Sequence, residues 1–151
     1  MLAIIDYGVG NLFSLKSSIE AIGTENVITS DPSVIKNADH IILPGVGAFG
    51  DAMDKLRSTG LDKTVIEAAA SGIPLLGICV GMQMLFTKDF EYGEHDGLDL
   101  IPGEVRDISE IISPELKVPE IGWNSLHITK NKSKLFDGIK EGAYVYFVHS
   151  Y

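Results

Sequence analysis

The chain has 151 residues, a formal charge of −9 and a pI near 4.7, with 45% hydrophobic and 22% charged residues. That length supports one domain with a real core, and the composition carries neither a disordered signature nor low complexity. The acidic balance opposes sequence-independent binding to nucleic acid or an anionic membrane, both of which need clustered Lys and Arg, and the lone cysteine excludes an internal disulfide framework or a cysteine-rich zinc site.

Short apolar strands alternate with helical patterns, which predicts an α/β fold with a mostly parallel open sheet and helices on both faces. Leu2 to Ile5 reads as the first strand. Asn11 can cap a helix whose apolar residues Leu12, Leu15, Ile19 and Ile22 recur at helical spacing, and Gly23 ends it. Val27 to Thr29 and Ile41 to Leu43 are the next strands, separated by a short helical piece over Pro32 to Asn37. Helices follow over Asp51 to Arg57 and Leu61 to Ala70, then a strand ending at Cys79 and a helix from Val80 to Phe86. Thr87 to Gly97 reads as an acidic, glycine-containing loop. Beyond Gly103 the pattern shifts to shorter β segments over Glu104 to Ile108, Ser125 to Thr129 and Tyr144 to Val148. Neither a repeat nor a linker interrupts residues 1–151, which are expected to form a single domain.

The strand ending at Cys79 runs into Gly77-Ile78-Cys79-Val80-Gly81-Met82-Gln83. A buried strand that passes through Gly-x-nucleophile-x-Gly into a helix describes a nucleophile elbow, the sharp turn that lifts one reactive side chain above a sheet. Its glycines are required because the turn brings backbone close to backbone. A thiol there meets the amides of a helix N-terminus, which favour thiolate and hold an oxyanion. The competing reading is an inert cysteine packed at a strand end. Upstream, Pro44-Gly45-Val46-Gly47-Ala48-Phe49-Gly50 formally fits G-x-G-x-x-G between a strand and a helix, so a dinucleotide site using Gly45, Gly47 and Gly50 is one reading. The acidic ribose partner expected at the end of the following strand is missing, because that strand ends at Cys79. The alternatives are amides that complete an oxyanion hole with Val80, or a tight turn without a ligand.

Together these two segments resemble class I glutamine amidotransferases, and the narrower likeness is to the glutaminase subunits of imidazole glycerol phosphate synthases. Tyr7-Gly8-Val9-Gly10-Asn11, Gly97-Leu98-x-Leu100-Ile101-Pro102-Gly103, Lys117-Val118-Pro119-x-Ile121-Gly122-Trp123-Asn124 and Tyr146-Phe147-Val148-His149-Ser150-Tyr151 follow that family's segments in its order. One departure is Glu120, where the family pattern usually places histidine. The resemblance implies glutamine hydrolysis through a Cys79 thioester, with the oxyanion held by Val46, Gly47 and Val80. It implies that Gly45, Gly47, Gln83, Glu91, Ser150 and Tyr151 bind glutamine. It also implies a heterodimer in which ammonia passes to a separate (β/α)8 cyclase subunit in histidine biosynthesis, with Asn11 and Trp123 near that partner. No cofactor is implied.

The family's catalytic histidine and orienting acid lie in a Gln-Phe-His-Pro-Glu segment, and residues 1–151 contain none. His40, His95, His127 and His149 do not match that motif. The expectation is a domain whose C-terminal part is missing and which is inactive or nearly so alone, since losing one triad member elsewhere costs orders of magnitude. A second expectation is a non-catalytic module of the same fold that docks the cyclase through Asn11, the Pro44 loop and Trp123. A metal role finds no support in the histidine spacing. The N-terminus reaches Asp6 without a basic region, so it does not read as a signal peptide. Ile73 to Phe86 contains Gln83 and is too short to span a bilayer, leaving the cytoplasm as the expected setting.

Overall fold

A computed structural model describes residues 1–129 and 133–151. The chain divides into two compact units, Met1–Arg106 and Asp107–Tyr151. In the first unit, four parallel strands lie in the order β2 (Asn26–Thr29), β1 (Leu2–Ile5), β3 (His40–Gly45), β4 (Leu75–Cys79). Parallel neighbours need crossovers; these are supplied by α1 (Leu12–Ala21), α2 (Pro32–Lys36), α3 (Phe49–Thr59) and α4 (Leu61–Ala70).

Local chemistry sets the helix ends. The Oδ1 of Asn11 accepts the Ser14 amide at 3.2 Å, and that of Asp31 accepts the Ser33 amide at 2.8 Å with Pro32 at the first helical position. Gly60 adopts a left-handed conformation where α3 stops and α4 starts. One face of the sheet sends Ala3, Ile5, Ile41 and Leu43 into a core with Phe49, Met53, Leu56, Leu61 and Val65. Burying a side chain such as Leu56 contributes about 1.5–3 kcal/mol. Ile4 and Ile42 alternate to the opposite face and are buried too. This core anchors the ends of β3 and β4, from which the site is built.

Downstream, the structure departs from the sequence reading. The helix expected over Val80 to Phe86 is a single turn, α5 (Val80–Gln83). Its continuation is pre-empted by the returning chain: Leu98 donates to the Met84 carbonyl at 2.8 Å, and the amides of Leu100 and Ile101 both donate to that of Leu85 at 2.9 Å. The acidic loop expected over Thr87 to Gly97 is an antiparallel hairpin of β5 (Phe86–Asp89) and β6 (His95–Asp96), with β7 (Ile101–Val105) running parallel to β5. The strand expected at Glu104 thus begins earlier, at Ile101, and Ile108–Glu110 is a 3-10 turn. Pro102 is tolerated because β7 is an edge strand.

In the second unit, β8 (Glu120–Ser125) pairs antiparallel with β9 (Tyr144–His149), setting Trp123 opposite Tyr146. The expected segment Ser125 to Thr129 contributes only Ser125 to this strand. After one further backbone exchange between Leu126 and the Gly142–Ala143 turn, the carboxylate of Glu141 takes the Ile128 amide at 2.7 Å and lies 2.8 Å from the His127 ring, replacing a strand partner.

Candidate active site

β3 and β4 end side by side, with Gly45 paired to Cys79. Cys79 is exposed and held at φ 54°, ψ −124°, a left-handed backbone that costs a residue bearing a Cβ on the order of 1–3 kcal/mol. The surroundings enforce this turn. A Cβ at Gly77 would lie 2.4 Å from Met82 Cα, one at Gly81 2.1 Å from the Leu43 carbonyl oxygen, and one at Gly45 2.3 Å from the Gly81 amide nitrogen. All three contacts are with backbone, so position 79 is squeezed outward between chain segments that have no room for side chains. The expected elbow is present, and its first amides are those of Val80 and Gly81.

The loop beside Cys79 is held at both ends. The buried Tyr7 hydroxyl donates to the Pro44 carbonyl at 2.8 Å, and its burial pushes the phenol up to about 12. At the other end, the Phe49 amide, first in α3, donates to Glu91 Oε2 at 2.8 Å. Between these anchors Val46 and Gly47 are exposed, and Gly47 sits at φ 83° with nothing near its missing Cβ. Two of the three glycines in the G-x-G-x-x-G match have internal reasons: Gly45 faces Gly81, and Gly50 faces the His95 ring, where a Cβ would lie 2.8 Å from Cε1.

Cys79, Val80, Gly45, Val46 and Gly47 are thus gathered at the carboxyl edge of the sheet, with half-buried Gln83 ending α5. Glu91 belongs to the same unit, but its carboxylate is engaged with α3. Asn11 caps α1. Ser150, Tyr151 and Trp123 belong to the second unit. There the Ser150 carbonyl accepts the Ile108 amide at 2.8 Å, the Tyr151 carbonyl is 3.0 Å from His149 Nδ1, and Trp123 is 68% exposed with its ring edge-on to Tyr146 at 5.7 Å. That unit also has a cleft of about 390 Å³ along Ile108, Ile112 and Glu120.

Each histidine has a local engagement or lies at the wrong end of its strand. His40 opens β3, away from Cys79, and His95 packs on Gly50. His127 meets Glu141, and His149 Nε2 is 3.5 Å from the Glu120 carboxylate. Sequence reasoning missed Tyr7 and Asp89. Tyr7 stood in a glycine-rich stretch with no sign that its hydroxyl would reach Pro44. Asp89 looked like a loop acid, yet it is fully buried and its Oδ1 accepts the Glu91 amide at 2.6 Å.

Comparison with known proteins adds independent information. The family profile described as glutamine amidotransferase class-I matches residues 3–151. The chain is 50% identical to the imidazole glycerol phosphate synthase subunit HisH of Sulfurimonas denitrificans, over 100% of this chain and 72% of that protein. It is 48% identical to HisH of Oceanobacillus iheyensis, over 100% of this chain and 73% of that protein. A solved glutamine amidotransferase superposes with a TM-score of 0.71 over 97% of this chain and 70% of that one; at 17% identity it supports the α/β fold with a parallel sheet.

Proposed function

We propose, from the premise that the chain belongs to the class I glutamine amidotransferases and among them to the HisH subunits of imidazole glycerol phosphate synthase, that its reaction is glutamine hydrolysis at Cys79. The carrying observation is the strained elbow: an exposed thiol held at φ 54° by backbone contacts at Gly77 and Gly81, in register with Gly45. The thiolate attacks the side-chain amide carbon of glutamine, and the carbonyl electron pair moves onto oxygen. The resulting oxyanion is received by the Val80 amide and an amide of Val46 or Gly47. Collapse expels ammonia, which takes up a proton as it leaves, and forms a γ-glutamyl thioester that water then hydrolyses to glutamate. Gly45, Gly47, Gln83 and Glu91 orient glutamine, and the backbone of Ser150 and Tyr151 holds its amino acid end.

The ammonia is delivered to a (β/α)8 cyclase subunit in histidine biosynthesis, with Asn11 and Trp123 at that interface, in the cytoplasm. Residues 1–151, acting as a single amidotransferase domain, are proposed to capture glutamine without turning it over at a useful rate. None of the four histidines lies in a Gln-Phe-His-Pro-Glu segment, and lacking one triad member costs roughly 10⁴-fold or more. A second reading, a cyclase-docking module without catalysis, draws on the apolar exposed face of Ile121, Trp123, Tyr146 and Val148.

Mass spectrometry after exposure to a diazo-ketone glutamine analogue, with iodoacetamide as the unselective control, tests the first reading. Selective labelling at Cys79 is the expected result. A folded chain labelled no faster by the analogue than by the control overturns it and leaves the docking module. Docking that survives Cys79→Ala is common to both readings, so only labelling separates them.

A further inference from the structure

Among the described residues, Asp89 is the one charged side chain with no exposure, and the reaction outlined above does not use it. It closes β5, paired with His95 on β6 and Val105 on β7. Its Oδ1 accepts the Glu91 amide at 2.6 Å, while Oδ2 is buried without a hydrogen-bond partner. An unpartnered buried oxygen carries a real desolvation cost, so something must offset it. The structure supplies a candidate two residues along, where the Glu91 carboxylate caps α3 at the Phe49 amide, 2.8 Å away. Phe49 is the residue at which the loop from Pro44 re-enters regular structure, and the His95 ring fills the space over the next residue, Gly50.

We propose that Asp89 is a positioning residue for the glutaminase site: by fixing the turn into Glu91 it keeps that carboxylate on α3, and so holds the distal end of the Pro44–Gly50 loop beside Cys79. The proposal rests on the glutaminase reading for its catalytic meaning, but its contacts stand apart from it. The titratable groups that face Asp89 are Glu91 on its own segment and His95 on β6. β7 offers uncharged Val105 opposite Asp89, and α5 has no titratable side chain. Burial pushes the Asp89 carboxyl up; the Glu91 amide pulls it back, the Glu91 charge raises it again and His95 lowers it. A largely desolvated acid needs only its acceptor oxygen for this role, so asparagine should replace it.

The test uses the 151-residue chain, with Asp89→Leu, Asp89→Asn, Glu91→Ala and the double variant Asp89→Leu/Glu91→Ala. The first readout is the rate of Cys79 labelling by the diazo-ketone glutamine analogue divided by its rate with iodoacetamide. Asp89→Leu is expected to lower this ratio roughly tenfold, as a displaced loop should. Asp89→Asn is expected to keep it within about twofold, and the double variant to match Glu91→Ala within the same margin, the signature of two residues acting in series. The second readout is hydrogen exchange at the Phe49 amide, expected to accelerate in Asp89→Leu and Glu91→Ala and not in Asp89→Asn. Should Asp89→Leu fail to fold, Asp89→Ala takes its place in both readouts. Wild-type exchange at Phe49 in a folded Asp89→Leu or Asp89→Ala sample overturns the proposal, as does a double variant that loses the full product of the single effects. A wild-type chain that shows no selectivity for the analogue sinks the glutaminase reading instead, and the exchange data then decide the role of Asp89 independently.

Discussion

Gly81→Ala probes the elbow through one methyl group. Gly81 has no left-handed φ, so its need for glycine comes from contact alone. The new Cβ would lie 2.1 Å from the Leu43 carbonyl oxygen and 2.9 Å from two further backbone carbons, against the 3.4 Å at which ordinary contact begins. Relief requires α5 to move off the end of β3, which disturbs the β3–β4 pairing that carries Gly45 and Cys79. That sets the cost at the upper end of overpacking, about 3 kcal/mol or more. Gly72→Ala is the control, because its Cβ meets nothing within 4 Å and only its φ of 90° is disfavoured; about 1–2 kcal/mol is expected there. Urea unfolding followed by far-ultraviolet circular dichroism gives both stabilities, and analogue labelling of Cys79 reports the site. Labelling should collapse in Gly81→Ala and persist in Gly72→Ala. If Gly81→Ala stays within about 0.5 kcal/mol of wild type, the range of ordinary surface changes, with labelling intact, the contact argument for the elbow is wrong.

Outcomes are expected at four further residues. Cys79→Gly should melt higher than Cys79→Ala, by about 1 kcal/mol in stability, because glycine alone relaxes at φ 54°; equal stability would mean that little strain is stored there. Tyr7→Phe leaves the Pro44 carbonyl without its buried donor and should cost about 1–3 kcal/mol. Since the folded pKa of Tyr7, about 12, stands above its ordinary 10.0, the stability it contributes is complete below pH 10 and is lost as pH rises toward 12. An absorbance titration showing every tyrosine ionising together near 10.0 contradicts this. Asp89 has a raised folded pKa, so its contribution is complete below its ordinary 3.8 and declines as pH rises through the folded value. Asp89→Asn should therefore gain stability over wild type at neutral pH and lose that advantage in acid, and a pH-independent difference would count against the burial argument. Leu56→Ala, emptying a fully buried core position, should cost about 2–5 kcal/mol in the same urea experiment, and a loss under 1 kcal/mol would mean that the core collapses into the gap.

The sheet and the elbow were readable because their residues leave few alternatives. Ile41 to Leu43 and the run into Cys79 read as strands, and glycines at 77 and 81 declare a turn with no room for side chains; the strand expected to be buried before Cys79 is instead half-exposed at Leu76 and Ile78, because β4 lies at the edge of its sheet. The misread parts depend on partners far along the chain. Val80 to Phe86 has helical composition, but the carbonyls of Met84 and Leu85 are claimed by Leu98, Leu100 and Ile101. The β5–β6 hairpin was disguised because the buried end of β5 is an aspartate, which reads as loop. Pro102 and Gly103 suggested a break where an edge strand tolerates both. In the site, Cys79, Val80 and the Pro44 loop were visible as adjacent strand ends. The engagement of Glu91 with Phe49 was not, since nothing local says which amide a carboxylate will find.

The backbone at position 79 carries an evolutionary implication. Every other demand the fold makes there would be met as well or better by glycine, whose φ preference includes 54°. On the glutaminase reading, a side chain stands at this position for its chemistry and against the interest of the scaffold. In a lineage that no longer needs the thiol, drift should run toward glycine and raise stability as it does so. The residue found at this turn in any descendant is then a record of whether the chemistry is still under selection.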